Sequence, residues 1–217
     1  MKHTFLAAAI ALLGTTAQAQ DYKAPLEKTF LAFDTTMNLQ VKTEQSNKLT
    51  LIAKKWDTEW CTHYYAAYSK AQLSYMEKDA ARRDALLDEA DKEREDAVSI
   101  LKKDNDETYV LAAMIANARM AVDPMNRWQK YGQLFQENLE NAKEANPDNP
   151  RMYYLQGVSK FFTPKQFNGG AAAAAPYFDK ANTLFAKEAA VTDISKPHWG
   201  KDKNDYFTEQ CKKGDKG

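Results

Sequence analysis

The sequence predicts an all-α protein: a right-handed superhelix of about three stacked helical hairpins, with capping helices before it and a tail after it. Three observations predict this. Apolar residues recur at helical spacing through most of the chain. Strand signals, β-branched alternation bounded by hairpin turns, are almost absent. The pattern also repeats: shifted by 45 residues, Tyr64, Tyr109 and Tyr154 superpose, as do Ala67, Ala112 and Gly157.

Residues 1–19, MKHTFLAAAIALLGTTAQA, read as a secretory signal. Lys2 supplies the positive start, Phe5 to Leu13 an apolar stretch too short to span a bilayer, and Ala17-Gln18-Ala19 a small-x-small cleavage site. The mature chain is expected to begin at Gln20. No cysteine follows the cleavage site to take a lipid, and no other segment is long and apolar enough to anchor it. The expected address is therefore soluble and exported, in the periplasm.

Residues 20–59 carry the capping helices. Pro25 suits a first turn, followed by Leu26, Phe30, Leu31 and Phe33; a second helix carries Leu49, Ile52, Ala53 and Trp56. Residues 60–189 carry the three hairpins, each opening on a helix near 60, 106 and 150. The highly charged stretch from Ala80 to Lys103 reads as a solvated helix with i,i+4 pairs. Asp104-Asn105-Asp106 breaks and caps, Asp123-Pro124 divides the second hairpin, and Asn146-Pro147-Asp148-Asn149-Pro150 stops one helix and restarts another. In the third hairpin, TPKQFNGG is an enlarged loop whose Gly169 and Gly170 are free to take positive φ. Ala174, Phe178, Ala181 and Phe185 then fall on one helical face. Pro176 sets the expected start of that helix at Ala173 to Ala175, since an earlier start loses the bond to Ala172. Residues 190–217 form a tail with a short charged helix, Trp199 covering the far end of the stack.

The hairpins resemble tetratricopeptide repeats. The junction ANPDNPRMYYLQG, residues 145 to 157, carries the family's stop, then an aromatic at Tyr153 and a small packing residue at Gly157. Ala142 and Pro147 have its closing spacing, and Ala174, Phe178 and Ala181 its small-aromatic-small second helix. The repeat is longer than the family's usual thirty-four residues, and Arg94 stands where an aromatic or aliphatic residue belongs. With the signal segment, the chain is similar to exported tetratricopeptide-like proteins of Bacteroidota. That resemblance implies a fold and an address, and no firm activity. It implies a superhelix whose concave face is lined by the first helix of each hairpin.

The charge of 30 basic against 30 acidic residues falls to about 29 against 30 without the signal, and there is no polybasic run. Nucleic acid and anionic membrane are therefore not expected partners. No histidine pair at metal-ligand spacing, CxxC, phosphate loop or GxSxG elbow is present. No enzyme, metal or cofactor is expected. Cys61 and Cys211 are a disulfide candidate in an oxidising compartment, although a bond needs the tail to reach back along the stack; two unbonded thiols are the alternative. The positive feature is aromatic. If Tyr153 and Gly157 pack the hairpin, then Tyr64, Tyr109 and Tyr154 lie one residue on and turn roughly 100° towards the groove, with Tyr68, Asn117 and Phe161. The alternative is that these tyrosines pack the core between hairpins. The groove reading implies a non-catalytic binding or scaffold protein holding a protein or peptide. The alternative is a small-solute or glycan-binding accessory of outer-membrane uptake; a third reading is a homodimer through the alanine-rich helix.

Overall fold

The computed structural model describes residues 21–188 and 191–214; the expected signal segment, 1–19, lies outside them. Among the described residues the regular structure is all helical. It comprises α1 (Lys23–Thr35), α2 (Leu39–Lys55), α3 (Trp60–Met76), α4 (Ala80–Leu101), α5 (Asp106–Val122), α6 (Pro124–Ala145), α7 (Pro150–Phe162), α8 (Ala171–Glu188) and α9 (Lys201–Gly214), with a 3-10 turn at Lys165–Phe167.

Short polar side chains start these helices. Asn38, Asp79, Asn105, Asp123 and Asn149 each accept a backbone N–H in the first turn of the helix that follows, satisfying donors that the helix itself leaves open. At Asn105 the bond is reciprocated by Thr108. Pro124 and Pro150 begin α6 and α7, where a missing N–H costs nothing. Successive helices pack as the pairs α1/α2, α3/α4, α5/α6 and α7/α8, while α3, α5 and α7 lie side by side.

The central helix is α3, buried on nearly every side, from Cys61 through Tyr64, Tyr65, Tyr68 and Ala71 to Leu73. The outer helices α4 and α6 bury only stripes: Leu87, Ala90 and Ala97 on one, Phe135, Leu139 and Ala142 on the other. Arg119 of α5 pairs with Asp88 and Asp91 of α4 at 2.7 and 2.6 Å, and Arg127 of α6 with Asp84 at 2.6 Å. Between α7 and α8 the approach is close: a Cβ at Gly157 would lie 2.6 Å from the Phe178 ring.

Two expectations are corrected here. The helix α8 starts at Ala171, earlier than Pro176 suggested, because the Ala174 N–H already bonds the Gly170 carbonyl. Alanine's high helix propensity offsets the single bond that Pro176 cannot make. Secondly, no disulfide joins Cys61 to Cys211, although both are buried. The Cys61 thiol meets the Tyr22 hydroxyl instead, and burial raises its pKa. The reason is the path of α9, which runs antiparallel to α8. Gly200 lies against Phe185, near the end of α8, and Gly214 lies against Ala171, at its start. Cys211 is thus carried about 15 Å down the stack from Gly200, while Cys61 opens α3 beside the other end.

The tail also takes another course than an end cap. It folds back over the face shared by α1, α3 and α7. Trp199, 2% exposed, packs with ring centroids 4.8 Å from Tyr68 and 6.3 Å from Tyr154.

Candidate functional site: an aromatic ledge beside a sealed face

The face on which the groove was expected is held shut by a buried polar network. The Trp199 indole N–H donates to the Tyr64 hydroxyl at 2.7 Å, and that hydroxyl donates to Glu107 Oε2 at 2.9 Å. Asn149 donates to Glu107 Oε1 at 2.8 Å. Arg151, itself buried, places Nε 3.5 Å from Glu107, grips Glu188 at 2.9 Å and donates to the Pro197 carbonyl. A buried charge persists only when paired and hydrogen-bonded, and these bonds tie α3, α5, α7 and α8 to the tail. Burial pushes the Glu107 carboxyl up to about 7, against the pull of Arg151. Burial opposes the Arg151 charge, but Glu107 and Glu188 outweigh it and hold the guanidinium ionised. Burial also raises the Tyr64 and Tyr68 hydroxyls well above their usual range.

The groove assignment is therefore corrected for three residues. Tyr64 and Tyr68 are 0% exposed and Tyr154 is 6% exposed. They gather around Trp199 beneath the tail, so the surface expected to hold a peptide is already occupied by the chain itself. Tyr109 and Asn117, both on α5, are half-buried, and so is Phe161 near the end of α7.

Phe161 belongs to a different surface. Its ring lies 5.3 Å from both Phe162 and Phe207, and Phe207 is stacked on Phe178 at 5.5 Å with the planes 8° apart. Tyr206 adds an edge contact to Phe207 at 5.3 Å. Phe207 is thus the half-buried centre of a ledge whose rims, Phe162 and Tyr206, are 70% and 59% exposed. Contiguous exposed rings of this kind mark binding surfaces more often than chance solvent exposure does. One turn before Phe207, Lys203 donates to the Tyr68 hydroxyl at 2.8 Å and pairs with Asp34. These bonds hold the Lys203 ammonium on the sealed side of α9, so the ledge itself is aromatic. Sequence reasoning missed Phe162, Tyr206 and Phe207. The available signal was the Tyr206-Phe207 doublet inside an otherwise charged helix.

These features define an all-helical protein of stacked hairpins, sealed along one face by its own tail and presenting an aromatic ledge beside it. No family model matches the sequence, and no curated protein sequence does. Among solved structures, the HusA haemophore from Porphyromonas gingivalis is similar, with 31% sequence identity and a TM-score of 0.76, over 90% of this chain and 95% of that one. At that identity and coverage, the chain belongs to the family of this haemophore.

Proposed function

We propose that the protein is an exported, non-catalytic carrier that binds haem or a related porphyrin on the ledge of Phe161, Phe162, Tyr206 and Phe207. The observation that carries this is the exposed aromatic ledge on a chain 31% identical to a haemophore. A porphyrin is a flat aromatic plate with an acidic edge. Aromatic side chains offer it stacked and edge-on contacts. Small-ligand capture as an uptake accessory thus displaces the peptide scaffold, whose surface lies under the tail. Export rests on the N-terminal signal pattern; among the described residues no helix is long and apolar enough to cross a membrane. The tetratricopeptide-like register remains part of this proposal as the device that sets α3, α5 and α7 side by side.

Absorbance titration with haemin tests it. Saturable binding is expected, with Phe162→Ala and Tyr206→Ala each weakening it by about 3- to 10-fold, the equivalent of roughly 1 kcal/mol per aromatic contact. Because the ledge supplies rings, metal-free protoporphyrin should bind comparably. Haemin affinity unchanged in the double variant would remove the ledge from the site, and no saturable binding would remove the function.

A further inference from the structure

The strongest chemistry away from the ledge lies where α3 packs on α4. His63 Nδ1 is 2.7 Å from Glu93 Oε2, and the ligand atoms of His63, Glu93 and Asp96 all lie within 4.8 Å of one another. Glu93 and Asp96 are three residues apart on α4 and so share a face. His63 and Glu93 are buried, while the Asp96 side chain is 41% exposed, which leaves an ion a route in.

We propose that His63, Glu93 and Asp96 form a site for a divalent first-row transition-metal ion, zinc by its ligand chemistry, which clips α3 to α4. One imidazole nitrogen with two carboxylates suits zinc and its neighbours; calcium and magnesium favour all-oxygen shells. Ligand atoms around a tetrahedral zinc are roughly 3.3 Å apart, given metal–ligand bonds of about 2.0–2.2 Å. The present spacing brackets that value, and small side-chain rotations bring the three to it, with water in the fourth position. On binding, the proton shared between His63 Nδ1 and Glu93 leaves to solvent. Lys92, whose ammonium lies 2.6 Å from Asp96, is displaced; its side chain is 72% exposed and turns into water.

Calorimetric titration of the untagged full chain with zinc chloride near neutral pH tests the site. One equivalent should bind, releasing protons in amounts read from buffers of different ionisation enthalpy. Asp96→Asn should weaken binding by about tenfold or more, and Lys92→Ala, which removes the competing cation, should tighten it several-fold. Zinc should raise the melting temperature of the natural chain by more than that of Asp96→Asn, as ligand linkage requires. Both substituted side chains are solvent-accessible, so the test stands even where His63→Ala fails to fold. Absence of saturable binding, or affinity unchanged in Asp96→Asn, would overturn the site.

Discussion

The Trp199 indole is the residue that locks the tail, because it combines a large buried ring with one specific bond to Tyr64. Trp199→Ala should destabilise the fold by about 3–5 kcal/mol, the range for truncating a buried aromatic. Trp199→Phe keeps most of the packing and loses the N–H, and should cost about 1 kcal/mol. Urea denaturation separates the two. Below that bond, Glu107 has a carboxyl raised from 4.5 to about 7 by burial. The folded state then holds a proton that the unfolded chain has released. Its contribution to stability is fully present below pH 4.5 and is lost as pH rises through about 7. Glu107→Gln should flatten the slope of melting temperature against pH in that window. An unchanged slope would assign the pH dependence to other groups.

The helices were legible in the sequence because their ends are written locally. Asp123-Pro124 and the Asn146 to Pro150 run act through caps and missing donors, which need no knowledge of distant residues. The start of α8 was misread because Pro176 costs one bond whereas the preceding alanines favour helix together. Packing between elements was legible only where a residue type demanded it. Gly157 was assigned to close packing, and its absent Cβ does leave room for Phe178. Gly157→Ala should therefore separate α7 from α8 and cost about 1–3 kcal/mol, the usual range for overpacking; chemical denaturation measures it. The path of α9 was not legible, because it depends on contacts such as Trp199 to Tyr64, 135 residues apart. That same path holds Cys211 away from Cys61. Stability should accordingly be indifferent to reductant, and the denatured, unreduced chain should yield two reactive thiols; a reductant-sensitive melt would restore the disulfide.

At the scale of the whole molecule, the tail decides what kind of surface the protein presents. The face formed by α1, α3 and α7 buries Tyr64, Tyr65 and Tyr68 completely, and residues after α8 lie over it. Removing them would leave those rings and the Glu107–Arg151 pair facing water. Two outcomes are physically distinct for a chain ending at Glu188. If the tail is part of the core, truncation should abolish a cooperative urea transition, since a stack of this size has only about 5–15 kcal/mol to lose. Apolar dye binding should rise, and haemin binding should fall together with the ledge, half of which is carried on α9 as Tyr206 and Phe207. If the tail is instead a cover over a groove, the shortened chain should stay folded and take up more ligand on its newly opened tyrosines. The bonds from Arg151 to Pro197 and from Asn204 to the Phe178 carbonyl run between the tail and two different helices. A cover that opens readily would have to break both and leave Arg151 without its Pro197 partner. The expected result is therefore loss of the cooperative transition, read from the urea melt alongside haemin titration of the same sample. A folded truncation with strengthened haemin binding would move the site from the ledge to the face beneath the tail.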